Sequence, residues 1–405
     1  MPGNGANGPI EARSIARELS WCEVSTTALE ANARAFKSRV GDGRLGVVVK
    51  AEAYGHGLVL AARAFLRGGA DWLVVNAIHE AVSLREAGVD APIYVVGNVP
   101  AFQARLAVEH DLRVILYDRD VARALSQAAR DMNRVARVHI KIETGNHRQG
   151  LALEDALGLA RYLGDNLKGI EIEGVSTHYA DIEDTTDHRF AMLQVERFEA
   201  AVAAFRAAGF PVPMTNTANS AATILWPRTH GAVVRVGLAA YGLWPSTETY
   251  AAALALPEQR EGRGGFLPDL VPALSWRARI VQVKDVPAGA WVGYGRTYRC
   301  THSTRIAVIP VGYHEGYDRR LSNLGHALVG GVRAPIRGRV CMNMAMIDVT
   351  DHSDAKVGDV VTLLGADGDE RISAEDLARW CGTINYEIVS RIHPVIPRLA
   401  TQRVM

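Results

Sequence analysis

The sequence predicts an α/β fold in which an N-terminal (β/α)8 TIM barrel precedes a C-terminal, mainly antiparallel β domain. Two observations lead to this prediction. Up to about residue 250, short apolar runs alternate with helix-length segments, which is typical of parallel β/α units. Beyond residue 272, short apolar runs are separated by Gly, Pro and Asp turns instead, which indicates antiparallel strands.

Eight apolar runs are the candidate barrel strands. They are residues 46–49, 72–76, 93–97, 113–117, 138–143, 169–177, 212–216 and 233–238. Residues 190–208 carry apolar side chains at steps of three and four, as expected for a helix packed on a sheet. Eight such units in roughly 230 residues favour a TIM barrel, whose active site lies at the C-terminal strand ends. The pattern alone also permits a doubly wound sheet.

The second domain follows a predicted linker. Residues 257–272, PEQREGRGGFLPDLVP, are polar and rich in Gly and Pro. Candidate strands beyond it are residues 279–283, 304–310, 346–349 and 360–364, and a short helix is expected at 373–380, with Ser373 as N-cap and Asp376 three positions on. The predicted organisation is a disordered tail at 1–18, a barrel at 19–262 and a β domain at 263–405.

Composition excludes several classes of partner. Lys and Arg number 45 and Asp and Glu 44, so no overall charge attracts nucleic acid or an anionic membrane, and the ligand should be small. The four cysteines show no Cys-x-x-Cys spacing, which argues against a zinc site and fits a reducing cytoplasm. No run of about 18 apolar residues occurs, and the polar N-terminus lacks the apolar core of a signal peptide. We therefore expect a soluble cytoplasmic protein that binds no metal.

The most informative segment is VVVKAEAYGHG, residues 47–57, which places Lys50 at the end of the first candidate strand. A lysine there most often reaches solvent. The following YGHG, however, makes the segment resemble the pyridoxal 5'-phosphate (PLP) signature of the alanine racemase family. The resemblance implies that Lys50 forms a Schiff base with PLP and that Tyr54 binds its phosphate. Glu52 stands where that family usually carries Asn or Asp.

The resemblance also implies a phosphate-binding site. Racemisation removes a weakly acidic Cα proton, for which PLP supplies an electron sink. Asn219 and Ser220 follow the seventh candidate strand, where a hydroxyl and backbone amides at a strand-to-helix turn form an anion site, although an N-cap role is equally consistent. Gly237 and Leu238 end the eighth strand, where barrels often bind phosphate. In the family, the residues that match Ser220, Gly237 and Leu238 hold the phosphate together, and a tyrosine that matches Tyr386 reaches it.

Arg235 distinguishes between classes of PLP chemistry. In the resembling racemases, the matching arginine faces the pyridine nitrogen, and an arginine keeps its proton. It can only donate a hydrogen bond to an unprotonated ring, which weakens the electron sink and limits transamination. The related barrel decarboxylases carry a carboxylate there instead. His178, at the end of the sixth candidate strand, matches a histidine that packs near this arginine.

The segment KIETGNHRQG, residues 141–150, resembles the racemase run KVDTGxxRxG. The resemblance implies that Arg148 lies near the substrate carboxylate. Lys141 matches a lysine that is carbamylated in many members and positions the arginine. Asn146 and His147 occupy the two variable positions and so bear on which amino acid is used.

The second base implied by the resemblance is Tyr294, in VGYGRTY. A phenol of pKa about 10 acts as a base only where nearby positive charge lowers that value. Its flanking glycines let the backbone approach closely. The family places this tyrosine in the site of the opposite subunit, so a homodimer with shared active sites is expected.

Further residues match the family's substrate entrance. In GRVCMNM, the amide of Met342 would meet the substrate carboxylate, Cys341 precedes it, and Asn343 replaces the family's usual Asp. The other matching positions are Tyr313, Arg319, Arg339 and Ile384.

The resemblance spans about residues 20 to 400 and implies a PLP-dependent alanine racemase that supplies D-alanine for peptidoglycan. Lys50 would serve the D-isomer and Tyr294 of the partner the L-isomer. Asn146, His147 and Asn343 support a broad-specificity or serine racemase as the alternative. A barrel decarboxylase is disfavoured by Arg235. A non-catalytic PLP carrier of the single-barrel kind is disfavoured by the residues beyond the linker.

Overall fold

The computed structural model describes residues 18–256 and 265–402, and its contacts divide the chain into two units. The barrel unit contains Ala28–Ala53 and the described part of Leu58–Val271. The β unit contains Tyr54–Gly57 and the described parts of Met1–Thr27 and Pro272–Met405. Residues 1–17 of the predicted tail and residues 257–264 of the predicted linker lie outside the described residues.

The strands and helices alternate in the first part of the chain, as the sequence predicts. The described strands are β1 (Ser20–Ser25), β2 (Arg44–Val48), β3 (Trp72–Val75), β4 (Ile93–Val95), β5 (Leu112–Leu116), β6 (Ala136–Lys141), β7 (Ile170–Ser176), β8 (Met214–Asn216), β9 (Val233–Val236), β10 (Leu274–Arg279), β11 (Gln282–Val286), β12 (Trp291–Val292), β13 (Tyr298–Arg299), β14 (Thr304–Ile309), β15 (His326–Val329), β16 (Val332–Pro335), β17 (Ala345–Asp348), β18 (Val360–Asp367), β19 (Glu370–Ile372) and β20 (Arg398–Thr401). The described helices are α1 (Thr26–Val40), α2 (Leu58–Arg67), α3 (Ile78–Glu86), α4 (Ala104–Glu109), α5 (Arg119–Asp131), α6 (Leu153–Asn166), α7 (Arg189–Ala207), α8 (Ser220–Leu225), α9 (Thr247–Leu254), α10 (Ala374–Cys381) and α11 (Asn385–Ser390).

The barrel unit is an 8-stranded parallel sheet in which β2 to β8 are neighbours in chain order and β9 pairs with β2. Backbone hydrogen bonds at 2.9 Å from Ala232 to Thr215 and at 2.8 Å from Arg235 to Ala218 join β9 to the β8 segment and nearly close the sheet. Each strand overlaps one of the eight predicted runs, so the predicted barrel is confirmed. The doubly wound alternative is wrong, because its sheet stays open.

Helix α7 shows how the barrel is covered. Its buried side chains include Val195, Phe198, Val202 and Phe205, which recur at steps of three and four. They form one apolar stripe, as the periodicity of residues 190–208 predicts.

The β unit is mainly antiparallel. Its largest sheet has 7 strands in the order β16, β15, β18, β10, β1 and β20, with β19 pairing with β18. A 3-stranded sheet of β11, β14 and β17 and a hairpin of β12 and β13 complete it. Helix α10 begins at the predicted cap, where Oγ of Ser373 accepts from the amide of Asp376 at 3.1 Å and Asp376 accepts from the amide of Ser373 at 3.0 Å.

Two parts of the β unit differ from the sequence prediction. Strand β1 lies within the range 19–262 assigned to the barrel, but it pairs with β10 and β20 of the β unit. The strand predicted at 279–283 is wrong, because Ile280 and Val281 connect β10 to β11. Ile280 is apolar and is buried in this connection. A short apolar run therefore does not distinguish a strand from a buried connection between two strands.

Among the described residues, no helix is long and apolar enough to cross a membrane.

Candidate active site

Lys50 follows β2 at the C-terminal end of the barrel sheet. The sheet pairing extends to its neighbour, because the amide of Val49 donates to Val74 at 2.8 Å. Burial lowers the pKa of Lys50 and Arg148 lowers it further, while Glu80 and Glu183 oppose the shift. The amine therefore has a larger neutral fraction than an exposed lysine, as a nucleophile or base requires.

The backbone after Lys50 is left-handed. Four consecutive non-glycine residues, Ala51 to Tyr54, have φ between 51° and 54°. This conformation costs about 1–2 kcal/mol per residue, so tertiary contacts must hold it. One contact is made by the carboxylate of Glu80, which accepts from the amide of Ala51 at 2.7 Å.

Arg235 projects from β9 and is 7% exposed. Its Nη1 donates to Oδ1 of Asn216, and its Nη2 donates to the carbonyls of Thr177 at 2.9 Å and Thr217 at 3.2 Å. Asn216 in turn contacts Nδ1 of His139 at 2.8 Å. The guanidinium plane is thus fixed by the ends of β7 and β8, and these bonds leave Nε for a further acceptor.

His178 lies two residues after the end of β7, and its Nδ1 is 3.5 Å from Nη2 of Arg235. Burial holds the pKa of His178 well below its usual value, and the charges of Lys141, Arg235, Arg148 and Lys50 lower it further. The imidazole is therefore neutral at pH 7, which leaves Nδ1 able to accept from the arginine.

Lys141, at the end of β6, is 8% exposed. Burial lowers its pKa well below the usual value, and Arg235 and Arg148 add to that effect. A small cleft brings Lys141 together with Asn146, Arg148 and His178. His147, between Asn146 and Arg148 in the chain, has a φ of 52° and an exposed side chain. The predicted carboxylate-binding segment therefore lies beside the predicted cofactor residues of the same unit.

The predicted phosphate residues of the barrel unit also lie together. Oγ of Ser220 accepts from the amide of Gly237 at 2.9 Å. Asn219 caps α8, because its Oδ1 accepts from the amide of Ala222 at 3.0 Å. Its Nδ2 donates to Glu183 at 2.8 Å. Leu238 begins a short 3-10 segment directly after Gly237. Ser220 and Leu238 therefore each begin a helical segment shortly after a strand, at the strand-to-helix turns that the sequence predicts.

In the β unit, most predicted residues line one concave surface. Tyr294 is 74% exposed and lies between Gly293 and Gly295, whose φ angles are 72° and 71°. The surface encloses a cavity of about 990 Å³. The predicted site residues that line it are Tyr294, Tyr313, Arg319, Arg339, Cys341, Met342 and Asn343. The sequence therefore identified a common surface from segments far apart in the chain.

The segment around Met342 is held by its carbonyl oxygens. The amide of Tyr313 donates to Cys341 at 3.1 Å, and that of His314 donates to Met342 at 2.9 Å. Nδ2 of Asn343 donates to Oε1 of Glu315 at 2.7 Å. Burial alone would raise the pKa of Glu315, but bonds from Asn343, the Gly312 amide and His314 lower it overall. The replacement of Asp by Asn thus avoids a like-charge contact with Glu315. Burial raises the pKa of the Cys341 thiol.

Tyr54 and Tyr386 form a pair within the β unit. Their ring centroids are 6.1 Å apart and the rings are inclined at 57°. Ile384 is the N-cap residue of α11, which carries Tyr386, and is 57% exposed. Gly55 packs so closely that a Cβ there would lie 2.0 Å from the carbonyl oxygen of Val389. The two predicted phosphate tyrosines are therefore placed by a contact that only glycine permits.

Sequence reasoning missed Glu80, Asn216 and Glu315. Asn216 ends the seventh candidate strand and Glu80 lies shortly after the second, positions where the site of a barrel forms. That placement was a signal for both. No sequence pattern pointed to Glu315, since its contact with Asn343 joins two segments that are distant in the chain. Among the described residues, no cluster of His, Cys, Asp and Glu could hold a metal ion.

Comparisons with known proteins show the family of the chain. The family model "Alanine racemase, N-terminal domain" matches residues 24–245, and "Alanine racemase, C-terminal domain" matches residues 273–400. An alanine racemase of Symbiobacterium thermophilum is 42% identical over 379 residues, covering 94% of this chain and 96% of its own.

Solved structures agree as well. Alanine racemase from D-cycloserine-producing Streptomyces lavendulae is 34% identical with a TM-score of 0.85, over 94% of this chain and 97% of its own. That of Bacillus anthracis with bound L-Ala-P is 32% identical with a TM-score of 0.86, over 96% of each chain. The chain described by these two units belongs to the alanine racemase family.

Proposed function

We propose that this protein interconverts L- and D-alanine with PLP, using Lys50 and the partner subunit's Tyr294 as opposed bases. The observation that carries the proposal is the cluster at the barrel's strand ends. There Lys50 has a lowered pKa and Arg235 is buried and held by three acceptors. An invariably charged donor and a partly neutral lysine, which both act on His178, suit amino-acid racemisation better than decarboxylation.

The residues present fit PLP. Arg148 and Arg235 are both among the cations that lower the pKa of His178, so two permanent positive charges of the barrel unit are available to an anionic phosphate and a substrate carboxylate. The Ser220 hydroxyl and the Leu238 amide are proposed to donate to the phosphate, as is the Gly237 amide once it leaves Oγ of Ser220, and Tyr54 and Tyr386 are proposed to contact it as well. Nε of Arg235 would donate to the pyridine nitrogen. His178, 3.5 Å from the same guanidinium, would help to orient it, and Asn219 would hold the start of α8. When bound, PLP supplies the electron sink that makes the Cα proton acidic.

The chain's own residues then hold the substrate and move protons. Arg148 and the amide of Met342 are proposed to bind the carboxylate and so orient Cα. Nζ of Lys50 would take or return the proton on one face, for which its lowered pKa provides a neutral amine. The phenolic oxygen of Tyr294 would do so on the other face. Lys141 is proposed to carry a carbamate, since its buried amine is neutral enough to react with carbon dioxide.

A homodimer is part of the proposal. The concave surface of the β unit exposes Trp291, Tyr294, Met342 and Met344, with exposed fractions from 49% to 74%. Exposed apolar and aromatic side chains gathered on one surface mark an interaction site. A second copy would cover this surface and receive Tyr294 in its own site. Arg319, Arg339, Tyr313, Cys341, Asn343 and Ile384 would line the entrance.

The protein is proposed to act in the cytoplasm, where it would supply D-alanine for the synthesis of peptidoglycan. The four cysteines are free, as is typical of a reducing compartment. The alternative within the class is a broad-specificity or serine racemase, which the polar Asn146, His147 and Asn343 favour. Those side chains could hydrogen-bond a substrate hydroxyl that alanine lacks.

One experiment tests the substrate. The PLP-loaded protein is incubated with each L-amino acid in turn and the enantiomers are separated by chiral chromatography. We expect alanine to racemise fastest. Faster turnover of serine, lysine or arginine would establish the broad-specificity alternative, and carbon dioxide release from a basic amino acid would establish a decarboxylase.

A second experiment tests the shared site. Inactive Lys50→Ala and Tyr294→Phe subunits are mixed under conditions in which exchange is verified by mass spectrometry of tagged chains. Mixed dimers contain one site with both native bases, so we expect partial activity. No recovery after confirmed exchange would contradict sharing.

A further inference from the structure

We propose that Glu80 positions Lys50, because its carboxylate holds the left-handed turn that begins directly after the lysine. The inference rests on the proposed role of Lys50 as the cofactor-bearing residue. Among the described residues, the donors to the carboxylate of Glu80 are backbone amides, not Lys50 or a predicted ligand group. Glu80 acts through the backbone.

The carboxylate of Glu80 joins two neighbouring strand ends. Its Oε1 accepts from the amide of Ala51 at 2.7 Å, just beyond β2. Its Oε2 accepts from the amides of Asn76 at 2.7 Å and Ala77 at 3.0 Å, just beyond β3. Glu80 is 9% exposed, so little water competes for these bonds. Three backbone donors therefore converge on one buried carboxylate.

Helix capping explains only part of this arrangement. Glu80 is the third residue of α3, and a glutamate there commonly reaches back to the N-cap amide, here that of Ala77. The bond to Ala51 is additional and leaves the helix altogether. It fixes the peptide unit that links Lys50 to the left-handed turn. If Glu80 served only to cap α3, its Oε1 would not need to accept from the amide of Ala51.

The turn needs such a support. Ala51, Glu52 and Ala53 have φ and ψ angles close to those of a left-handed helix, which only glycine adopts readily. A bond from the amide of Ala53 to Val49 at 2.9 Å closes the turn around Lys50. If the turn relaxed to ordinary φ values, the backbone direction at Lys50 would change and its side chain would leave the strand-end cluster. The charge of Glu80 also opposes the lowering of the Lys50 pKa.

The test compares Glu80→Gln with a matched control. The side-chain amide introduced by this substitution offers one acceptor and one donor group, so it cannot accept at both strand ends. Asp118→Asn is the control, since Asp118 caps α5 after another barrel strand and its carboxylate accepts from amides of that same helix, those of Asp120 and Val121. Both full-length proteins are purified with PLP, and backbone hydrogen exchange is followed by mass spectrometry.

For Glu80→Gln we expect exchange in residues 49–54 to quicken by about tenfold or more, as loss of a hydrogen bond to a charged group implies. Asp118→Asn should leave that segment unchanged. We also expect slower covalent capture of PLP at Lys50, measured by borohydride trapping and peptide mapping. Adding Ala51→Gly to Glu80→Gln should recover part of this capture, because glycine adopts the left-handed turn with less strain.

Unchanged exchange in residues 49–54 of Glu80→Gln would overturn the proposal, as would the absence of any Ala51→Gly recovery once capture is slowed. If Glu80→Gln fails to fold, Glu80→Asp replaces it, because the shorter side chain cannot span both strand ends. Trapping of PLP on another lysine of the unchanged protein would refute the role of Lys50, while the exchange measurement would still test the turn itself.

Discussion

Nη2 of Arg235 lies 3.5 Å from Nδ1 of His178, so a permanent cation faces a histidine whose pKa is held well below its usual value, first by burial. The arginine also donates to Asn216, Thr177 and Thr217. The pair is therefore a donor and a neutral acceptor within one rigid network. The network therefore fixes Arg235 as a charged hydrogen-bond donor in the site.

Arg235→Lys should lower both stability and kcat/KM, because the compact ammonium group of a lysine cannot reach acceptors that are spaced for the two Nη atoms of a planar guanidinium. Each buried bond lost to a charged donor costs about 1.5–3 kcal/mol. Arg235→Glu should increase pyruvate formed by transamination relative to racemisation, since a carboxylate would accept a hydrogen bond from the ring nitrogen of PLP and so stabilise its protonated form. Arg85→Lys is the control, as Arg85 also donates to backbone carbonyls, those of His110, Val89 and Ala91. It should lose stability alone. An unchanged product ratio in Arg235→Glu would count against the assigned role.

Tyr294→Phe should reduce kcat roughly 10²- to 10⁴-fold in both directions, the usual contribution of a general acid or base. The cofactor absorbance band should remain, because Lys50 is untouched. Tyr250→Phe provides the control, since Tyr250 is also exposed, at 42%, but lies on α9 of the barrel unit. Steady-state rates with each enantiomer measure the effect. Racemisation at the native rate in Tyr294→Phe would exclude the two-base assignment.

The stability of the protein should fall as pH drops below about 6.5, the usual pKa of histidine. Burial is the first cause of a lowered pKa in both His178 and His139. Below that pH the unfolded chain binds protons at these histidines and the native state does not, so stability decreases toward the native pKa values. Each group contributes a slope of at most about 1.4 kcal/mol per pH unit.

Urea unfolding of the PLP-loaded protein between about pH 5 and 7 checks this dependence, since that range spans the usual histidine pKa. His178→Gln should flatten the slope relative to the unchanged protein. His302→Gln, which alters an exposed histidine, should leave it as it was. Equal slopes in all three proteins would contradict the burial argument.

Gly55→Ala should destabilise the β unit more than Gly358→Ala does. Both glycines have positive φ, 81° and 95°, so alanine is strained at either position, by on the order of 1 kcal/mol. At Gly358 nothing lies within 4 Å of an added Cβ, whereas at Gly55 the Val389 oxygen lies 2.0 Å away. Thermal unfolding measures the difference, and the affinity for PLP should fall only in Gly55→Ala, whose neighbour is Tyr54. Equal unfolding midpoints would refute the packing argument.

The sequence was sufficient for the barrel because each strand and helix carries its own period. The capping pair Ser373 and Asp376 was likewise readable, since both bonds join residues three positions apart. The left-handed turn at Ala51 was not predictable from local preference, because alanine disfavours positive φ and the contact that holds it comes from Glu80. The partners of β1 were hidden for the same reason, as pairing across the length of the chain leaves no local pattern.

Strand β1 has a consequence for how the protein is made. Cys22 pairs with Trp276 on one side and with Arg398 on the other, so β1 receives its second neighbour only when β20 emerges from the ribosome. At usual translation rates that interval is on the order of tens of seconds. All barrel strands are synthesised within it and can pair among themselves. The largest sheet of the β unit is then completed only after β20 has been synthesised, and truncation before β20 would leave an edge of β1 open to pairing with other chains.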